Sequence, residues 1–330
     1  MPFRIILSQI IFLTLGVSSI FAQVDEIGDQ NFLFLQNNNE INLPFFSNQS
    51  LDSSNDIIQK AVIVIHGANR NAEDYFNSIY NNAFDLDVLS ETVIIAPQFL
   101  ITADLNHWQP NTAYAFWSST TPWSSGGQSH STNEHPRDYE ISSYTIMDSL
   151  VAHLLTIYPN LQDIALVGNS AGGQFVNRYA AGSGQEAGGK IRYIVSAPSS
   201  YVYMDEFRYS EYLFPIGWEL PENCGGYNDY KYGLDDLNDY MSVTGIDSIR
   251  DRYSRRKIQY LIGTIDTGGT QDCESMKQGS NRLDRSIIYY NYLQYFYGSR
   301  ILDNQKIALI SGVGHDSVSY THLRAHETSR

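Results

Sequence analysis

The stretch that most constrains this chain is residues 163–181, DIALVGNSAGGQFVNRYAA. Asp163–Val167 is an apolar run too short for a helix and reads as a buried parallel strand. Gly168-Asn169-Ser170-Ala171-Gly172 then fits Gly-x-Ser-x-Gly, and Ala171–Ala181 begins a helix with Phe175, Val176 and Tyr179 on one side. Glycines two residues either side of the serine suit a sharp strand–turn–helix corner, where larger side chains would strike strand and helix. The corner lifts the serine hydroxyl above the sheet, and the first backbone N–H after it points where an oxyanion would form. The five-residue pattern alone arises by chance in about one chain in ten of this length. Its weight therefore comes from the strand before it, the helix after it and the partners downstream.

The rest of the chain supplies that context. Ala61–Ile65, Thr92–Ala96, Lys190–Ser196, Ile258–Gly263 and Lys306–Ile310 are further short apolar runs that read as strands. Residues 72–82 and 281–297 read as helices, as does 140–158, where Ile141, Tyr144, Met147, Val151, Leu154 and Tyr158 recur at helical spacing before Pro159. Phe32–Leu35 and Ile41–Phe46 are expected to form an early antiparallel pair. Strands alternating with helices imply a doubly wound, mostly parallel α/β sheet covered on both faces. Two stretches depart from the alternation. Residues 98–137 read as a long aromatic loop carrying Trp108, Trp117, Trp123 and Gly126-Gly127. Residues 198–250, rich in Tyr, Asp and Gly, read as an irregular cap-like insertion whose tyrosines could line a pocket, stack on a ligand or pack the insertion itself.

The termini carry different signals. Arg4, the apolar run Ile5–Ile20 and Ile20-Phe21-Ala22 before Gln23 form a secretory leader over residues 1–22, too polar and too short for a membrane span. The mature protein is therefore expected to be extracellular, with no stable membrane association. In an exported chain the two cysteines, Cys224 and Cys273, favour a bridge and make a poor metal site. Asn48-Gln49-Ser50 is a glycosylation sequon. A net charge of −15 argues against nucleic acid and anionic membranes as partners. The α/β domain is expected to span 23–317. Residues 318–330 lack apolar periodicity and look foreign to it, so His322 and His326 are not read as metal ligands.

A serine hydroxyl needs a positioned base, and the base needs an orienting carboxylate. On a doubly wound sheet these follow in the order serine, acid, histidine, each in a loop after a strand. Ser170, Asp266 and His315 meet that order, with Asp272 as a second candidate acid six residues on. Position favours Asp266, immediately after a strand, over Asp272, which follows the flexible Thr267–Thr270. Ala171 N–H is one candidate oxyanion donor. The second is Ala68 N–H, in the loop His66-Gly67-Ala68-Asn69 after the strand Ala61–Ile65, with His66 bracing the loop. His130, Glu134, His135 and Asp138 lie close together, but their spacing matches no structural metal site and they read as a solvated loop. No metal or cofactor is expected.

Eight segments, VIVIHGANRNA, VIIAPQF, WSSGGQS, ISSYTIMD, GNSAGGQFVNRYA, YGLDDLNDY, QGSNRLDR and GVGHDS, together resemble the secreted α/β-hydrolase-fold serine esterases of microbes. The resemblance covers Ile63 to Ser317. It implies an α/β-hydrolase fold and hydrolase activity, supports Ser170, Asp266 and His315 as a catalytic set, and makes a Cys224–Cys273 bridge plausible. A small-molecule or polymeric carboxylic ester would be the substrate. A serine peptidase or amidase would use the same three residues, and a binding module on an inactive hydrolase fold would lack one of them. The resemblance departs at the C-terminus, where a closing helix is expected and the sequence shows none.

Overall fold

The computed structural model describes residues 23–36, 39–120, 122–210 and 217–315. The expected leader and the tail from 318 lie outside the described residues. Eight strands form one sheet: β1 (Gln30–Gln36), β2 (Asn39–Ser47), β3 (Lys60–Ile65), β4 (Thr92–Pro97), β5 (Asp163–Asn169), β6 (Ile191–Ser196), β7 (Lys257–Gly263) and β8 (Gln305–Ile310). Their order is β1-β2-β4-β3-β5-β6-β7-β8. The β1–β2 hairpin is antiparallel, pairing Phe32 with Leu43 and Phe34 with Ile41, and β2 is antiparallel to β4. Every other pairing is parallel. The sheet is thus the mostly parallel one that the alternation predicts.

The helices are α1 (Ala72–Asp85), α2 (Thr102–Trp108), α3 (Ser143–Ile157), α4 (Ala171–Gly182), α5 (Asp239–Thr244), α6 (Ile246–Arg255), α7 (Cys273–Met276) and α8 (Arg282–Tyr297). Successive strand side chains point to opposite faces, and here both faces are used. Ala61, Ile63 and Ile65 of β3 join Val93, Ile95, Ile164 and Leu166 in the main core beneath α3, α4, α6 and α8. Val64 and Ala96 turn the other way, where α1 covers them with Ala72 and Tyr75. This explains why β4 is buried at all six positions and reads as a continuous apolar run rather than an alternating one.

Residues 98–137 are more ordered than a loop reading allows. Leu100–Ile101 pairs in parallel with Phe116–Trp117, and α2 lies between them. The Trp123–Gly127 turn is held by side chains bonding successive carbonyls. Ser143 Oγ donates to Trp123 O, Arg178 Nη1 to Ser124 O, Tyr230 OH and Asn238 Nδ2 to Ser125 O, Ser142 Oγ to Gly126 O, and Trp117 Nε1 to Gly127 O. Buried carbonyls outside a ladder need such partners.

The 198–250 insertion is irregular apart from the short antiparallel ribbon Arg208–Ser210 with Gly217–Glu219, α5 and the start of α6. Two of its described tyrosines, Tyr201 and Tyr203, are core residues, and the others are partly exposed. Tyr201 and Tyr203 are buried against Tyr289 and Tyr292 of α8. Their neighbours settle their hydroxyls among themselves: Tyr253 OH lies 2.8 Å from Tyr260 OH, Tyr289 OH donates to Tyr253 OH at 3.0 Å, and Tyr260 OH donates to Gln305 Oε1. Tyrosine supplies large apolar area with one polar atom to satisfy, and this network does so for Tyr253, Tyr260 and Tyr289, while the buried Tyr203 hydroxyl finds no hydrogen-bond partner among the described residues. Asn48, the sequon residue, spends both amide atoms on β4, Nδ2 to Thr92 O and Oδ1 from Ile94 N–H. A glycan on Nδ2 would compete with the first of these bonds.

Cys224 and Cys273 form a disulfide, with a Cα–Cα distance of 5.9 Å and a sequence separation of 49. It ties the insertion to the segment after β7. Closing a loop of this length stabilises a fold by on the order of 4 kcal/mol through the unfolded chain. A Cys224→Ser/Cys273→Ser variant is therefore expected to lose about that much in urea unfolding, whereas an unchanged midpoint would mean the insertion holds without the bridge.

Candidate active site

The site starts from the corner between β5 and α4. Ser170 has φ 58° and ψ −117°, a conformation that costs a non-glycine residue on the order of 1–3 kcal/mol and persists only where the surroundings enforce it. The enforcing contacts are backbone ones. Ser170 N–H donates to Ser196 O at the end of β6, 3.0 Å away. A Cβ on Gly172 would lie 2.2 Å from Ile65 O, and one on Gly168 would lie 2.2 Å from Gly172 O. Glycine at both positions lets α4 abut the strand ends, which leaves Ser170 at the helix N-terminus.

Loops from the next strands bring the partners. His315, after β8, places Nε2 3.0 Å from Ser170 Oγ and Nδ1 2.8 Å from Asp266 Oδ2. With the carboxylate accepting at Nδ1, the proton sits there and the Nε2 lone pair faces the serine hydroxyl. The loops after β7 and β8 are zipped together by Ile265 N–H to Val313 O and Gly312 N–H to Thr264 Oγ1. Asp266 is 1% exposed and receives a second bond from Arg282 Nη1 at 3.0 Å. Burial pushes its carboxyl up. The His315 hydrogen bond and charge, together with the Arg282 guanidinium, outweigh this and hold it below the usual carboxylate range. Asp272 does a different job: it caps α7, accepting Ser275 N–H at 2.8 Å. Of the two candidate acids, Asp266 is the one facing His315.

On the opposite side stands the loop after β3. Gly67 borders Ser170, since a Cβ on it would come 3.8 Å from Ser170 Cβ. His66 is fully buried; its Nε2 accepts Phe99 N–H at 2.9 Å, so Nδ1 carries the proton and donates to Gly67 O at 2.8 Å. In a trans peptide the N–H points opposite to the C=O, so pinning the Gly67 carbonyl aims Ala68 N–H away from His66. Arg70 Nη1 pins the next carbonyl, Ala68 O, at 2.8 Å, and Asp104 grips the Arg70 guanidinium at 2.8 and 3.1 Å. Among the described residues, neither Ala68 N–H nor Ala171 N–H donates to a protein acceptor. Such an arrangement can draw the Ser170 proton to His315 during attack and offer two N–H groups to a developing negative charge.

The structure thus brings together Ser170, Asp266, His315, Ala171 and the His66–Asn69 loop, and sets His130 and His135 apart from them. His130 and His135 pack edge-on to Phe116, and His135 Nε2 bonds Asn106 Oδ1. Sequence reasoning missed Arg70, Asp104 and Arg282. Arg70 and Arg282 lie inside the segments HGANRNA and QGSNRLDR, which could have drawn attention to them. Asp104 stands in no such segment, and only the fold reveals it.

No family model and no curated protein sequence matches the chain. Solved structures do. Poly(aspartic acid) hydrolase-1 from Sphingomonas sp. KT-1 is similar at TM-score 0.59 and 19% identity, over 90% of this chain and 98% of that one. The poly(3-hydroxybutyrate) depolymerase of Bordetella parapertussis is similar at TM-score 0.57 and 20% identity, over 90% and 88%. The chain has the α/β-hydrolase fold.

Burial pushes the His66 imidazole down to about 4, from an ordinary value of 6.5. The unfolded chain therefore takes up a proton near pH 6.5 that the fold refuses until about pH 4. Stability falls as pH drops through that window, by on the order of 3 kcal/mol from this group. A His66→Gln variant is expected to show a shallower loss between pH 6.5 and 4 in urea unfolding than the parent. Equal slopes would contradict a buried, neutral His66.

Proposed function

We propose that this protein is a secreted serine hydrolase that cleaves carboxylic esters through an acyl-enzyme on Ser170. The observation that carries the reading is the hydrogen-bonded chain from Ser170 Oγ through His315 to Asp266, at 3.0 and 2.8 Å. Ser170 Oγ attacks the acyl carbon while its proton passes to His315 Nε2. Asp266 keeps the imidazole in register and stabilises the imidazolium. The negative charge forming on the carbonyl oxygen is met by Ala171 N–H, at the positive end of α4, and by Ala68 N–H. His315 then returns the proton to the leaving alcohol, and a water activated by the same imidazole releases the acid.

Two features support an extracellular setting: the leader-like residues 1–22 and the Cys224–Cys273 disulfide, which persists in oxidising compartments. The substrate in this reading is a small-molecule or polymeric ester. Ser170 is half-buried and the His315 side chain is 30% exposed, so the reacting atoms stand near the surface, within reach of a bulky chain.

Ser170→Ala is expected to abolish both ester hydrolysis and fluorophosphonate labelling while leaving the fold intact. Turnover of a short acyl ester equal to the parent's would overturn the reading. Asp266→Asn should stabilise the wrong imidazole tautomer and cost on the order of ten-thousand-fold in turnover, whereas Asp272→Asn should cost far less. The reverse ranking would move the acid to Asp272. A panel of acyl chain lengths, an amide analogue and the two polymers named for the structural neighbours would define the substrate, and faster cleavage of the amide than of the matching ester would replace esterase with amidase.

A further inference from the structure

Asp266 is shared. One carboxylate oxygen accepts the His315 Nδ1–H hydrogen bond and the other accepts from Arg282 Nη1. Arg282 opens α8, and its placement is built rather than incidental. Its backbone N–H donates to Gly268 O and that of Leu283 to Asp266 O, so the acid's loop is seated on the first turn of the helix. The guanidinium lies close against the Gly268 backbone, where a Cβ would stand 2.9 Å from Arg282 Nη1. Arg282 Nε also points at Ser199 Oγ, 3.4 Å away. The side chain is 15% exposed and the carboxylate it meets is 1% exposed, so water screens the pair weakly.

We infer that Arg282 is a positioning residue that sets the pH at which the His315–Ser170 pair becomes competent. The inference rests on the hydrolase reading above. A carboxylate whose charge is wholly given to one imidazole holds that imidazole's proton tightly. One already paired with a fixed cation stabilises an imidazolium less. Arg282 also fixes the rotation of the carboxylate, leaving Oδ2 for the histidine alone. Among the described residues, the other charged groups near this cluster are Arg285 and Asp284 on α8 and Asp272 at the cap of α7. Arg285 spends its donors on the carbonyls of Gly279, Ser199 and Thr270, Asp284 bonds Asn281, and Asp272 caps its helix. Arg282 is therefore the cation bonded to the acid.

The test is the pH profile of kcat/KM on a short acyl ester for the parent, Arg282→Gln and Arg282→Lys. The acid limb of the Gln variant is expected to move up by about one pH unit, since the guanidinium acts on the imidazole across the carboxylate rather than directly. Its rate on the alkaline plateau should stay within about tenfold of the parent's, and lysine should return the limb part of the way. A limb that stays in place while the rate falls equally at every pH would make Arg282 merely structural and overturn the inference. Fluorophosphonate labelling of Ser170 in the parent separates this from the underlying reading. If the parent neither labels nor hydrolyses, the hydrolase reading fails. If it does both and the limb does not move, only the role of Arg282 fails.

Discussion

The constraint on which the rest depends is the backbone-to-backbone approach where α4 meets the ends of three strands. A Cβ on Gly172 would strike Ile65 O of β3, one on Gly168 would strike Gly172 O, and one on Gly173 would lie 2.4 Å from Ser196 O of β6. No side chain mediates these contacts, so the helix axis is set by main-chain van der Waals distance, the stiffest spacer a protein has. The strained Ser170 conformation follows from it, as does the placement of the first helical N–H groups beside Ser170. The loops after β3, β7 and β8 then need only reach a fixed point. Their anchors, His66 with Arg70 on one side and the α8 N-terminus on the other, come from elements already packed on the sheet.

A second device holds the irregular parts. Arg178, Arg208 and Arg285 are all fully or almost fully buried, yet their main partners are carbonyls rather than carboxylates. Arg178 bonds Ser124 O and Lys231 O; Arg208 bonds the carbonyls of Asp205, Phe207, Tyr227 and Tyr232; Arg285 bonds those of Gly279, Ser199 and Thr270. An irregular insertion leaves carbonyls without ladder partners, and a guanidinium offers five donors in a rigid fork. One arginine thus settles several orphaned acceptors at once. Burial lowers all three guanidinium pKa values without removing their charge from the neutral range.

The sheet and the corner were legible because they depend on local rules: apolar runs of strand length, and glycines where backbones touch. The insertion was less so. α6 was missed because its charged surface, Asp247, Arg250, Asp251, Arg252 and Arg255, hides the spacing of its buried residues, Ile249 and Tyr253. The tyrosines gave no unique reading, since a buried and an exposed tyrosine are the same letter until the partner of the hydroxyl is known. Asp104 is the hardest case. Its meaning depends on Arg70, 34 residues away in the chain, and on Val24 N–H, which it also accepts at 3.0 Å. Contacts between loops of different strands leave no period in the sequence.

The site is graded from dry to wet, and the grading has a chemical use. Asp266 and His66 are sealed, His315 is partly exposed, and Ser170 lies where a substrate can reach it. Charge interactions weaken with solvent contact, so the orienting groups act at close to full strength on the sealed side. In the proposed reaction, proton transfer and acyl exchange would take place on the open side, where water and product can come and go. A fully buried triad would need a moving lid to admit substrate, and a fully exposed one would lose the carboxylate's hold on the imidazole to screening. By burying only Asp266 and His66 of these groups, this fold holds His315 aligned while leaving Ser170 and the imidazole open to the surface, as the proposed reaction needs.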